Sequence, residues 1–167
     1  VPDFNVIMIA EQAGPVKSAQ GVAAVADYSF TTAPPLDIIM VPGGIGTRTQ
    51  LLNPVMLDYI RQQHQRTEVT TSVCTGALGL AAAGVLRGLD ATTHWLALAA
   101  LQQYGARPVK ARVVRQGKVI TAAGVSSGID MALTLVAEEF GIVAAQANGA
   151  IFGIDWMREQ GRNLDTF

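Results

Sequence analysis

The chain has 167 residues and a formal net charge of −1; 50% of its residues are hydrophobic and 15% are charged. This composition is typical of one domain with a buried core and argues against disorder. The charge balance offers no electrostatic basis for binding a nucleic acid or an anionic membrane surface.

Four short apolar stretches in the first third of the chain predict strands by their length and β-branched content. They are residues 4–10, 15–18, 22–26 and 36–41, of which the middle two form a hairpin around Gln20-Gly21. The last of them ends at Pro42-Gly43-Gly44. A helix is predicted over residues 54–65, with Asn53 as its N-cap and Pro54 at its first position.

The rest of the chain alternates between strands and helices in the same way. The predicted strands are 68–73, a short one to which residues 86–92 lead, and a hairpin of 110–115 with 118–123. The predicted helices are 75–83, 95–104, 126–140 and 142–159. Such alternation favours an α/β fold with a mostly parallel sheet and helices on both faces, and we predict a single domain over residues 1–167.

Cysteine content and hydropathy indicate which covalent links, metal sites and cellular locations to expect. Cys74 is the one cysteine of the sequence, which excludes an internal disulfide and a cysteine-rich metal site. No apolar run reaches the roughly 18 residues that a membrane-spanning helix needs. We therefore expect a cytoplasmic protein with a free thiol, no bound metal and no membrane partner.

Cys74 lies where the predicted strand 68–73 meets the predicted helix 75–83. An unpaired cysteine is often a small buried apolar residue, but this position favours a nucleophile on a sharp strand-to-helix turn. The partial positive charge of the helix N-terminus favours a thiolate there. Gly76 allows a close backbone turn, and the free amides of the turn are positioned to stabilise developing negative charge.

Two further positions lie at the same predicted edge of the sheet. Gly43 and Gly44 follow a buried strand, and glycine permits a backbone N–H to approach a reacting group closely. His94 directly precedes the helix 95–104 and is a candidate supporting residue, although a histidine there more often caps a helix.

Two other polar residues are interpreted without a catalytic role. His64 is interpreted as solvated surface, and Asp130 as a helix-capping residue.

Three motifs, taken together, resemble the ThiJ/PfpI superfamily, which has the class I glutamine amidotransferase-like fold. They are the strand that ends in VPGG at 41–44, the stretch SVCTGALGLAAAGVLRGLDATTHW at 72–95, and VITAAGVSSGIDMAL at 119–133. The resemblance implies a flavodoxin-like three-layer sandwich, a nucleophile elbow at Cys74, and a homodimer.

Thr75 separates the branches of this superfamily, because protease-like members and many glyoxalase-like members place His after the cysteine. Cys74-Thr75-Gly76 resembles isocyanide hydratase, a cofactor-free lyase that adds water to an isocyanide and gives an N-substituted formamide. That resemblance implies a covalent thioimidate on Cys74, with Thr75 holding water or the intermediate and the Gly44 amide near the reacting carbon. It also implies an acid early in the chain, and the first strand and the acid-bearing segment have no counterpart after Val1.

Two alternatives remain open on sequence alone. The same motifs resemble the non-enzymatic, amidotransferase-like sensor domain of AraC-type transcription regulators. Residues 1–167 contain no recognisable helix-turn-helix and no basic face, so we expect this part of the chain not to bind DNA. The second and weaker alternative is a redox-responsive or glyoxalase-like protein. It is considered because an exposed thiolate oxidises readily.

Overall fold

Ten strands and six α-helices form along residues 4–151, which are the residues that the computed structural model describes. The strands are β1 (Ile9–Ala10), β2 (Gly14–Lys17), β3 (Ala23–Ala26), β4 (Tyr28–Ser29), β5 (Ile38–Val41), β6 (Val69–Val73), β7 (Asp90–Ala91), β8 (Arg107–Pro108), β9 (Val113–Gln116) and β10 (Val119–Ala122). The helices are α1 (Thr47–Gln50), α2 (Pro54–Arg66), α3 (Gly76–Ala82), α4 (Leu98–Gln103), α5 (Ser127–Phe140) and α6 (Ile142–Ile151).

The central sheet has four strands in the order β5-β6-β10-β9. β5, β6 and β10 are parallel, and β9 pairs antiparallel with β10 at one edge. Val41 pairs with Ser72, and Thr121 of β10 pairs with the same serine from the other side. The carboxyl ends of β5 and β6 are therefore neighbours, and the mostly parallel sheet predicted from sequence is confirmed.

Helices cover both faces of this sheet. Val119 belongs to the buried cluster that contains residues of α2, α3 and α4, whereas the next residue, Ile120, belongs to the cluster that contains residues of α5. Since successive side chains of a strand point to opposite faces, the two clusters lie on opposite sides of the sheet. The predicted α/β fold with helices on both faces is confirmed.

The strand predicted over residues 4–10 is much shorter in the structure. Only Ile9 and Ala10 form a strand, which pairs in parallel with β4 in a separate two-stranded sheet. The backbone groups of Met8 form hydrogen bonds with Asp27. The Asp27 carboxylate accepts from the Met8 amide (2.7 Å), and the Asp27 amide donates to the Met8 carbonyl (2.8 Å). Val6 is 82% exposed, so the apolar start of this segment is not buried.

Several local predictions are confirmed and two are adjusted. The hairpin of β2 with β3 forms, and the side chain of Asn53 caps α2 by accepting from the Val55 amide (3.0 Å). The helix predicted over 95–104 begins as a turn of 3₁₀ helix, Trp95–Ala97, before α4. The helix predicted over 142–159 is observed to Ile151, and its remainder lies outside the described residues. Within residues 4–151, no helix is both long and apolar enough to cross a membrane.

Candidate active site

Cys74 occupies the junction between β6 and α3 and has a backbone φ of 59°. It is the one non-glycine residue with positive φ in the described part of the chain. A side chain in this left-handed region is disfavoured sterically, and such strain persists only where surrounding contacts enforce it. The half-buried thiol therefore sits on the sharp turn that the sequence predicts.

Three hydrogen bonds hold the backbone of Cys74 in this conformation. Its amide donates to the carbonyl of Ala122 at the end of β10 (2.9 Å). Its carbonyl accepts from the hydroxyl of Thr93 (2.8 Å) and, at 3.4 Å, from the amide of Ala77 in the first turn of α3. The strained residue is thus fixed from the neighbouring strand, from the segment after β7 and from its own helix.

Two glycines let the loop after β5 lie directly against this junction. A Cβ on Gly43 would stand 2.8 Å from the Cβ of Cys74 and 2.7 Å from the amide nitrogen of Thr75. A Cβ on Gly76 would stand 2.0 Å from the carbonyl oxygen of Val41. Neither position has room for a side chain, so both glycines are needed for the close approach of the two segments.

Thr75 joins the two segments through its hydroxyl. Its Oγ1 accepts from the Gly44 amide (2.9 Å) and lies 3.3 Å from the Gly44 carbonyl oxygen. The Gly44 N–H, expected from sequence to face the reacting centre, is therefore engaged by Thr75. Among the described residues, the amides of Thr75 and Gly76 donate no hydrogen bond, so they remain as donors at the N-terminus of α3.

His94 stands one residue from the threonine that holds the Cys74 carbonyl. Its Nδ1 accepts from the Leu96 amide (3.3 Å) at the start of the 3₁₀ turn, and its ring lies beside that of Trp95, with 5.6 Å between the centroids. The histidine therefore caps this turn. Its Nδ1 is engaged by the cap, so a supporting role near Cys74 would have to use Nε2.

His64 differs from its sequence-based interpretation. It is half-buried rather than fully solvated, and its Nδ1 lies 3.0 Å from the hydroxyl of Thr70 on β6. Burial, and secondarily the positive charge of Lys118, lowers the pKa of His64 below its ordinary value. This histidine faces the sheet because α2 packs on that side.

Asp130 also differs from its interpretation as a cap. It is 3% exposed, and its carboxylate pairs with the guanidinium of Arg112, whose Nε lies 2.7 Å away. The guanidinium additionally donates to the hydroxyl of Ser126 (3.3 Å). The pair ties the start of α5 to the chain before β9, and so has a structural rather than a capping role.

A largely apolar cavity of about 190 Å³ lies beside the loop after β5. Its walls include Val41, Gly43, Thr47, Leu51, Leu57 and Gly79. Gly43 contacts Cys74, and the hydroxyl of Thr47 lies 3.1 Å from that of Thr75, so this cavity adjoins the candidate site. Within residues 4–151, no group of His, Cys, Asp and Glu side chains could hold a metal ion.

Two residues of the site were not singled out from sequence. Thr93 lies 19 residues from Cys74, and Thr47 lies 28 residues from Thr75. A threonine after a short strand or in a glycine-rich loop carries no periodic signal. Only the pairing of distant segments reveals these contacts, although the run Thr92-Thr93-His94 falls within one of the motifs.

Comparison with known proteins gives a consistent result. The family model described as the DJ-1/PfpI family matches residues 2–138. The isonitrile hydratase of Pseudomonas putida is 44% identical over 146 residues, covering 87% of this chain and 64% of that protein. The HTH-type transcriptional regulator GbdR of Pseudomonas aeruginosa is 29% identical over 149 residues, covering 87% of this chain and 40% of the regulator.

A solved structure shows the same architecture. A THiJ/PfpI family protein from Pseudomonas syringae superposes with a TM-score of 0.86 at 37% identity, covering 90% of this chain and 63% of that one. The chain thus spans less than two thirds of the length of each of these three relatives.

Proposed function

This chain belongs to the DJ-1/PfpI family, and we propose that within it the protein is a cysteine-dependent hydratase acting on isonitriles (isocyanides). Water would be added to the terminal carbon to give an N-substituted formamide, without a cofactor. One observation carries the proposal: Cys74 is held at φ 59° between β6 and the N-terminus of α3. Such a position favours a nucleophile, because strain, helix dipole and free amides coincide there.

The reaction would proceed in two balanced steps. The sulfur of Cys74 attacks the terminal isonitrile carbon, and the proton of the thiol ends on that carbon, giving a covalent thioimidate. Water then adds to the same carbon, and its two protons pass to the nitrogen and, as the C–S bond breaks, back to the sulfur. The formamide leaves and the thiol is regenerated.

The residues around Cys74 have separate roles in this scheme. The amides of Thr75 and Gly76 lie at the start of α3 and donate no hydrogen bond among the described residues, so they are suited to stabilise negative charge in the second step. The hydroxyl of Thr75, positioned by Gly44, is suited to hydrogen-bond the intermediate or the attacking water. Gly43 lets the loop lie against the Cβ of Cys74 and the amide nitrogen of Thr75, where a side chain would not fit.

Sequence similarity supports the same assignment. The relative at 44% identity is named as an isonitrile hydratase, and the match covers most of this chain. Because the chain spans 64% of that relative's length, the activity of the whole protein remains our proposal. A homodimer and a cytoplasmic location are likewise proposed, and light scattering of the purified protein tests the first of them.

The experiment is to incubate the protein with cyclohexyl isonitrile and follow N-cyclohexylformamide by proton NMR. We expect turnover by the wild type and none by Cys74→Ala. Cys74→Ser is the matched control, since it places a hydroxyl of similar size at the same position but removes the sulfur nucleophile. Equal rates for the wild type and Cys74→Ala would refute the proposal.

A second candidate function is that of a sensor domain in a transcription regulator. The regulator at 29% identity favours it, because this chain matches a segment equal to 40% of that protein. In that case the domain would bind a small molecule at the same site without converting it. Calorimetric binding of an isonitrile or formamide by Cys74→Ser, with no turnover by the wild type, would support the sensor over the hydratase.

A further inference from the structure

Thr47 is the first residue of α1, and its hydroxyl oxygen lies 3.1 Å from that of Thr75. The side chain is half-buried, and it lies between Thr75 and the cavity beside the loop. It thus contacts a residue of the proposed site, and the reaction scheme above gives it no role.

The hydrogen-bond capacity of Thr75 determines what Thr47 can do. A hydroxyl carries one hydrogen to donate and two lone pairs that accept. The Gly44 amide donates to one lone pair of Thr75 Oγ1 (2.9 Å). The second lone pair and the single hydrogen are left for Thr47 and for the Gly44 carbonyl oxygen at 3.3 Å.

Counting donors and acceptors favours one direction for the threonine pair. Among the described residues, Thr75 is the one hydrogen-bond partner of Thr47 Oγ1, whereas Thr75 has the Gly44 carbonyl as a further acceptor. If Thr47 donates to Thr75 and Thr75 donates to Gly44, both hydrogens have acceptors. The reverse direction leaves the hydrogen of Thr47 without an acceptor from the described residues.

In the favoured direction the Thr75 hydroxyl is committed as a donor. Both of its lone pairs are filled, and its hydrogen makes only the long bond to the Gly44 carbonyl. That carbonyl also accepts from the Thr47 amide (3.1 Å), so it keeps a partner if Thr75 turns away. Redirecting the hydrogen of Thr75 therefore breaks one long hydrogen bond and leaves the Gly44 carbonyl with a donor.

We propose that Thr47 is a positioning residue, which orients the Thr75 hydroxyl as a hydrogen-bond donor to the nitrogen of the covalent thioimidate. The inference rests on the proposed hydratase function. Thr75 supplies a hydrogen bond and undergoes no net loss of its proton; the proton that ends on nitrogen comes from water. The bond strengthens as charge develops on nitrogen while water adds, so it acts on the second step.

The test compares three variants for hydrolysis of cyclohexyl isonitrile. Thr47→Val keeps the shape and removes the hydroxyl, Thr47→Ser keeps the hydroxyl, and Thr49→Val removes an exposed hydroxyl from the same helix. We expect Thr47→Val to lower kcat about tenfold with KM nearly unchanged, as for loss of one hydrogen bond formed in the transition state. Thr47→Ser should restore most of kcat, and Thr49→Val should match the wild type.

A parallel measurement separates positioning from general damage. Alkylation of Cys74 by iodoacetamide and the urea midpoint should be nearly the same in Thr47→Val and the wild type. If kcat is unchanged in Thr47→Val, if Thr47→Ser fails to restore it, or if the loss accompanies unfolding or slower alkylation, the positioning role is wrong. A wild type that produces no formamide overturns the hydratase proposal itself and the role of Thr47 with it, so the two failures are distinguishable.

Discussion

The hydroxyl of Thr93 donates a hydrogen bond of 2.8 Å to the carbonyl oxygen of Cys74, the residue with the strained backbone. Thr93 is 1% exposed and follows β7, so the bond joins a buried side chain to the half-buried turn after β6. The conformation of the candidate nucleophile thus depends on a residue distant in sequence.

We predict that Thr93→Val both destabilises the protein and slows modification of the thiol. Without the Thr93 hydroxyl, the Cys74 carbonyl keeps only the long hydrogen bond from the Ala77 amide. We expect this change to lower the free energy of unfolding by about 1 to 2 kcal/mol. Urea denaturation measures the first effect, and the iodoacetamide alkylation rate of Cys74 measures the second. We expect that rate to fall several-fold.

Thr92→Val is the matched control for this prediction. Thr92 is equally buried, and its hydroxyl donates to the Ala111 carbonyl, also at 2.8 Å. Its loss should cost a similar free energy without changing alkylation of Cys74. Equal effects of both variants on the thiol would show that Thr93 has no specific influence on it.

Gly76 and Gly79 lie in the same helix and should respond oppositely to alanine. At Gly76 the added Cβ would meet the Val41 carbonyl at 2.0 Å, so we expect a loss of about 3 kcal/mol or more in the free energy of unfolding. At Gly79 the nearest atoms are side-chain carbons at 3.5 and 3.7 Å, which is ordinary contact. Gly79→Ala should therefore gain up to about 1 kcal/mol from helix propensity.

Urea denaturation of the two glycine variants tests this contrast. Similar stabilities for both would mean that the loop after β5 does not pack against the start of α3 as described. The proposed close approach of Gly43 to Cys74 would then also be wrong.

His64 should make the stability depend on pH in the weakly acidic range. Burial and Lys118 lower its pKa in the folded state, whereas in the unfolded chain it titrates near an ordinary value of about 6.5. As pH falls below that value, the unfolded chain takes up the proton first, so the free energy of unfolding decreases. The decrease ends once the folded form is also protonated, below its lowered pKa.

The measurement is the urea midpoint of the wild type and of His64→Gln at several pH values between 8 and the acid limit of folding. Other titrating groups are common to both proteins, so their difference isolates His64. We expect the wild type to lose more stability than the variant as pH falls. Parallel curves would contradict the burial of His64 against β6.

The ion pair of Asp130 with Arg112 should contribute more to stability than an exposed pair. The side chains are 4% and 24% exposed, respectively, so Asp130→Asn removes a nearly buried negative charge from beside a partly desolvated guanidinium. We expect Asp130→Asn to lower the free energy of unfolding by about 2 to 3 kcal/mol, measured by urea denaturation.

Asp58→Asn provides the comparison within the same chain. Asp58 pairs with Arg61 in α2, and the two side chains are 61% and 46% exposed. Loss of this pair should cost no more than about 0.5 kcal/mol, because water screens exposed charges. A similar cost for both aspartates would argue against the buried environment of Asp130.

Local patterns predict most of the central sheet. The β-branched runs that become β5 and β6 are predicted nearly to their ends, and the glycines after β5 and the small residues of α3 indicate where they stop. These signals are local, because β-branched residues in a strand and small residues after it occupy consecutive positions of the chain. A local pattern also explains why the strand predicted over residues 4–10 is wrong. The segment has the apolar content of a strand, but the amide and the carbonyl of Met8 form hydrogen bonds with Asp27.

The sequence by itself determined the α/β class, the parallel strands and the position of Cys74 at a strand-to-helix turn, since each depends on residues adjacent in the chain. The tertiary structure decided which groups surround that cysteine. It brings Thr93 to the Cys74 carbonyl, engages the Gly44 amide with Thr75, and sets Thr47 beside Thr75. Those contacts join residues 19 to 31 positions apart in the chain. Hydrogen bonds between such distant segments depend on the order of the strands in the sheet, and no local sequence pattern predicts that order.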